Sequence, residues 1–110
     1  MNFHPQFGDV AHLGHVELLT PKPADSVHFF SSVLGLSETY RAERSVYFRA
    51  WGDYESCTLK VSQSKRSGLG HIGMRVRNQA VLEQLVQGLK EAGVQGEWVD
   101  GDVHHGSAFR

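Results

Sequence analysis

With 110 residues the chain is the size of one ordinary domain, able to bury a modest core but too short for two independent ones. Its 11 Lys and Arg nearly balance 12 Asp and Glu, with no long like-charge block and no basic stripe interleaved with aromatics, which argues against nucleic acid or an anionic membrane as partner. The single cysteine, Cys57, excludes an internal disulfide, no apolar run approaches the ~20 residues that cross a bilayer, and the opening residues lack a leader's basic and apolar regions, so a water-soluble protein of a reducing, cytoplasmic setting is expected.

Residues 1–12 are mixed and aperiodic and read as an N-terminal arm. The run from Leu13 to Leu19 predicts a strand, stopped by Thr20-Pro21. Pro23 suits a first helical turn, and Val27, Phe30, Val33 and Leu34 share one face of an amphipathic helix that Gly35 ends. Three segments rich in β-formers follow, Leu36 to Arg41, Ser45 to Trp51 and Cys57 to Val61, and predict an antiparallel meander. Gly68-Leu69-Gly70 opens a strand through Val76, and Ala80 to Ala92 sets Val81, Leu82, Leu85, Val86 and Leu89 on one face of a second helix that Gly93 ends.

An internal repeat organises these elements, because Leu13-Gly14-His15-Val16 returns 56 positions later as Leu69-Gly70-His71-Ile72. The order of strand, helix and terminating glycine recurs with it. The expected fold is therefore α+β, one module of paired βαβββ repeats over residues 13–110, with repeat one at 13–67 and repeat two at 68–110. Residues 94–110 are too few for the meander that followed Gly35, so the second repeat is expected to be truncated before its last strands. Such a truncation leaves an open sheet edge, from which oligomerisation or pairing with a missing second module is expected.

Two histidines at equivalent places in two pseudo-symmetric repeats, His15 and His71, form a candidate pair of metal ligands, against the bland alternative of histidines that merely hydrogen-bond their neighbours. Oxygen activation by a mononuclear metal usually needs a carboxylate too, and none suggests itself downstream of His71. Glu17 faces the same way as His15, and is expected to be a partly buried acid paired with an arginine rather than a ligand. His104-His105-Gly106 offers a hydrogen-bond donor or a solvated loop. His28 reads as a helix-surface or core-edge residue, and Cys57 as a small strand residue, with nothing beside it in sequence to make it a nucleophile. No phosphate loop, nucleophile elbow or paired-cysteine motif is present.

The runs His15 to Pro21, Phe29-Phe30 with Val33-Leu34-Gly35-Leu36, Ser45 to Asp53, Gly68 to Ile72 and Trp98 to Asp102 together resemble the amino-terminal module of extradiol ring-cleaving dioxygenases of the catechol 2,3-dioxygenase type. These belong to the vicinal oxygen chelate superfamily, which also holds glyoxalase and bleomycin-resistance proteins. The resemblance covers roughly residues 11–110. It implies a longer two-module enzyme that uses Fe(II) or Mn(II) with O2 to cleave a catecholic substrate. His15 and His71 match the metal-ligand histidines of the second module, whose glutamate comes from a final strand not found in this sequence. The second module's acid-base histidine matches a position near Ser56, which cannot do that work, while His105-Gly106 resembles a His-Gly pair before the penultimate strand and makes His105 the catalytic candidate. His15 and His71 are thus either ligands or relics of duplication, the piece alone is expected to be inactive, and no metal need be bound to it. The alternative is a non-enzymatic, bleomycin-resistance-like dimer that binds a small molecule; a glyoxalase-like reading would need two metal-facing carboxylates, for which only Glu17 is a candidate.

Overall fold

The computed structural model describes residues 4–100 and 106–110. Contacts gather into a unit from Leu13 to Met74 and a second unit made by the chain on either side of it.

In the Leu13–Met74 unit the chain runs through β1 (Val10–Thr20), α1 (Pro23–His28), a π-helical turn (Phe29–Val33), β2 (Ser37–Arg41), β3 (Ser45–Arg49), β4 (Leu59–Gln63) and β5 (Gly68–Val76). The sheet order is β2-β3-β4-β1-β5. The pairs β2–β3 and β3–β4 are antiparallel, as the meander predicted, and β1 lies parallel to β4 with Val16 opposite Leu59 and Leu18 opposite Val61. A parallel pair needs a long crossover, which α1 and the meander supply. The α+β class and the βαβββ order of the first repeat are those expected, although β1 begins at Val10, ahead of Leu13, because backbone pairing carries the strand beyond its apolar pattern.

Alternation along the strands gives the sheet two unlike faces. Val46, Phe48 and Val61 are buried on one, with Val27, Phe30, Leu36 and Leu59 packed against them. Phe48 is 0% exposed, and burying such a side chain contributes on the order of 1.5–3 kcal/mol. The predicted helix is not continuous: Leu34 N–H donates to Phe29 O and Leu36 N–H to Phe30 O, a widened turn that Gly35 closes at φ 78°. The widening rotates the last turn, so Val27 and Phe30 reach the core while Val33 and Leu34 stay 63% and 56% exposed, against the single apolar face expected of all four. Cys57 is fully buried just ahead of β4, not within a strand, and its Sγ lies 3.5 Å from Leu59 O. The turn between β3 and β4 is tied by Asp53, whose carboxylate accepts from Ala50 N–H at 2.7 Å and from Thr58 Oγ1 at 2.6 Å, while Arg49 donates to its carbonyl.

In the other unit, α2 (Gln79–Glu91) is capped by Asn78, whose side chain accepts from Val81 N–H at 2.9 Å, and it buries Val81 and Val86. Asp9, buried, accepts from Arg77 Nη2 at 2.9 Å and from Gln6 N–H at 2.8 Å. Two short strands, β6 (Trp98–Val99) and β7 (Ala108–Phe109), pair antiparallel, with the Trp98 and Phe109 rings 5.6 Å apart edge to face. A strand followed by a helix thus recurs as β5–α2, as the sequence repeat predicted. No helix of the described residues is long and apolar enough to cross a membrane.

Candidate functional site

The second face of the Leu13–Met74 sheet is polar, and the register explains its composition. Tyr47 on β3 lies opposite Lys60 on β4, and Lys60 lies opposite Glu17 on β1. Ser45 lies opposite Ser62 in the same way, their hydroxyls 2.7 Å apart. The Lys60 ammonium also sits 5.3 Å from the centroid of the Tyr47 ring, within range of a cation–π attraction.

Glu17 is the hub of this face. Ser62 Oγ donates to its Oε2 at 2.5 Å, Lys60 Nζ stands 3.5 Å from the same oxygen, and Oε1 lies 3.0 Å from His71 Nδ1. Burial alone would raise the carboxyl pKa, but the Ser62 hydrogen bond, the His71 hydrogen bond and the Lys60 charge together outweigh it and hold the group below its ordinary value. Glu17 is the partly buried acid expected, but among the described residues its partners are the Lys60 ammonium, the Ser62 hydroxyl and the His71 ring in place of the expected arginine.

The repeat-related histidines do meet. His15 Nε2 and His71 Nε2 are 2.7 Å apart, with the rings edge to face at 82°. They lie on neighbouring strands of one sheet. Close approach depends on two glycines: a Cβ on Gly73 would meet His15 Nδ1 at 2.6 Å, and one on Gly70 would meet the Glu17 carboxyl carbon at the same distance. His28 is exposed on α1, and His105 lies outside the described residues. Lys60 and Ser62 were not singled out from sequence; the alternation Leu59-Lys60-Val61-Ser62 is the signal that would have placed them on the polar face.

Two imidazole nitrogens at this distance share a hydrogen bond, and they are also donors of the type that divalent ions accepting nitrogen ligands take. The two-histidine, one-carboxylate face of oxygen-activating iron sites is a different matter. Glu17 holds the back of His71, at Nδ1, and is engaged by Ser62 and Lys60, so it does not converge with the two Nε2 atoms. Among the described residues no group of three or more His, Cys, Asp or Glu side chains is arranged around a common point that would hold a metal ion.

Fold and polar site together define a module of the vicinal oxygen chelate kind, and residues 12–107 match the Glyoxalase/Bleomycin resistance protein/Dioxygenase superfamily, to which the chain belongs. It is 45% identical over 109 residues to the metapyrocatechase of Geobacillus stearothermophilus, covering 99% of this chain and 33% of that protein. It is 34% identical over 92 residues to a manganese-dependent 2,3-dihydroxybiphenyl 1,2-dioxygenase of Geobacillus genomosp. 3, covering 84% of this chain and 29% of that one. Among solved structures, homoprotocatechuate 2,3-dioxygenase from Brevibacterium fuscum superimposes with a TM-score of 0.86 at 27% identity, over 94% of this chain and 29% of that one. The chain therefore spans about a third of the length of the curated relatives it matches.

Proposed function

We propose that the chain is the amino-terminal part of an Fe(II)- or Mn(II)-dependent extradiol dioxygenase that cleaves catechol-type aromatics with O2, and that these residues by themselves do not turn over substrate. The observation that carries the first half is 45% identity, over nearly the whole chain, to a metapyrocatechase. The position of Glu17 behind His71 carries the second. In this reading residues 13–110 form one module, with repeat one at 13–67 and repeat two begun at 68–110, and residues 1–12 lead into it, the last three already in β1. It works in the cytoplasm, in keeping with one buried thiol, and associates with a second module or a second copy of itself.

Such a metal, when bound, would supply Lewis-acid chemistry toward a catecholic substrate and a route for electrons to O2. What this chain supplies is structural chemistry: a sheet whose apolar face is sealed by α1, and a polar face on which Glu17, Ser62 and Lys60 fix the two imidazoles. His15 and His71 are the residues here that would hold a metal, through Nε2.

The test is a chimera in which this chain replaces the amino-terminal third of the metapyrocatechase it matches, assayed by the yellow ring-opened product of catechol. Retained cleavage is expected, beside no cleavage by the chain alone supplied with Fe(II) under anaerobic loading. A chimera that folds and carries metal but cleaves nothing overturns the assignment, and turnover by the chain alone overturns its inactivity.

A further inference from the structure

We propose that the cleft at the edge of α1, on the apolar face of the sheet, is a binding site for a small neutral phenol, on the side away from His15 and His71 and needing no metal. The site does not rest on catechol cleavage by the longer protein.

The cleft has a volume of about 350 Å3, within the roughly 300–1,000 Å3 of clefts that hold small molecules. Its walls are apolar: Leu18 and Val61, opposite one another on β1 and β4, and the rings of Phe29 and Phe30. Alternation along β1 sends Leu18 to the face opposite that of His15 and Glu17, so the sheet itself separates the cleft from the histidines. Phe30 leans on the core ring of Phe48, with centroids 6.2 Å apart, and Phe29 meets Phe30 edge to face at 5.3 Å. Phe29 nevertheless stays 46% exposed, which holds an aromatic surface open to an incoming ring.

Phe29 is also the first residue of the widened turn. Ser31 Oγ donates to Val27 O at 2.7 Å, and Leu34 N–H passes over to Phe29 O. A serine hydroxyl returned to the carbonyl four residues back bends a helix, and π-helical turns are rare and recur at functional sites.

The polar lining selects the head group of the ligand. Ser26 Oγ gives its hydrogen to Thr20 Oγ1 at 2.8 Å, and Thr20 Oγ1 also accepts from Lys22 N–H at 3.0 Å. A hydroxyl that has donated keeps only lone pairs, so Ser26 offers a ligand an acceptor. Asp25, its neighbour in the lining, adds a carboxylate, which is again an acceptor only. Two acceptors, one of them negative, suit a hydroxyl donor and repel a carboxylate. An ammonium would forfeit its hydration against the four apolar walls. An aromatic ring with one neutral hydroxyl satisfies both the walls and the acceptors.

The test titrates phenol into the 110-residue chain, labelled with 13C at the Leu and Val methyl groups, with a chelator present so that no metal contributes. Saturable shifts of the Leu18 and Val61 methyl signals are expected, with the ring signals of His15 and His71 unmoved. Toluene and benzoate are expected to bind more weakly, the one for want of a donor and the other for its charge beside Asp25. Ser26→Ala is expected to weaken phenol by about 2–10-fold, the scale of one hydrogen bond, and to leave toluene unchanged. Phe29→Leu is expected to weaken both by about 2–10-fold, the scale of one aromatic pair. No saturable shift at Leu18 and Val61, or shifts centred on the histidines, overturns the site. Toluene or benzoate binding as tightly as phenol, or undiminished phenol affinity in a folded Ser26→Ala, overturns the choice of a phenol. Neither result bears on the chimera, by which catechol cleavage is judged.

Discussion

Replacing Ser62 by alanine should destabilise the protein by an amount that depends on pH, and the dependence identifies the cause. Ser62 is 7% exposed, and its hydroxyl touches Glu17 Oε2 at 2.5 Å and Ser45 Oγ at 2.7 Å. A hydrogen bond to a charged group contributes roughly 1.5–3 kcal/mol, against roughly 0.5–1.5 kcal/mol for a neutral one. Ser62→Ala is therefore expected to cost about 1.5–3 kcal/mol at neutral pH, where the Glu17 carboxylate loses its donor. The folded-state pKa of Glu17 lies below its ordinary value, so the stabilisation it brings is complete above the unfolded pKa and is lost as pH falls through the folded one. Below both values the acid is neutral in either state, and the cost of the substitution should shrink toward the neutral figure. Paired urea denaturations of the parent and Ser62→Ala, at pH 7 and again at about pH 2, well below the ordinary carboxyl range, measure the two differences. Other titrating groups are common to both proteins and cancel. Equal differences at both pH values would refute the argument that the hydroxyl acts on the Glu17 charge.

Gly73→Ala is expected to cost about 1–3 kcal/mol by overpacking and to separate the two imidazoles, which thermal melting and the histidine ring nitrogen spectrum would register together. Phe48→Ala, at the centre of the apolar face, should cost about 3–5 kcal/mol, read from the shift in urea midpoint at constant slope. Asn78→Ala removes the cap of α2 and should cost about 0.5–2 kcal/mol by the same measurement, without disturbing the ring nitrogens of His15 or His71. Asp53 accepts from Thr58 and from Ala50 N–H, which hold its pKa down; the order of the β3–β4 turn should therefore persist above the ordinary aspartate range and loosen as pH falls through the depressed value, followed by amide exchange of Asp53 and Thr58.

Much of the architecture was legible in the chain because apolar spacing and turn residues record it directly. The β5 strand and the second helix follow from Gly68 through Gly93, and the recurrence of Leu-Gly-His in both repeats correctly brought His15 and His71 together. What could not be read depends on geometry across strands. Parallel pairing of β1 with β4 puts Lys60 beside Glu17, and no local pattern announces that register. The same limit explains why Glu17 was matched with an arginine. The π-helical turn was missed because Val33 and Leu34 fit an ordinary helical face as well as Val27 and Phe30 do, and only the carbonyl that Leu34 finds distinguishes the two.

The burial of Cys57 makes it a built-in clock for the histidine site. It is the sole thiol of the chain, fully enclosed beside β4, the strand that also carries Lys60 and Ser62. A thiol reagent can reach it only when this part of the sheet opens, so the rate of alkylation counts openings directly. A ligand that clamps β1 to β5 through His15 and His71 would slow that clock without touching the sulfur.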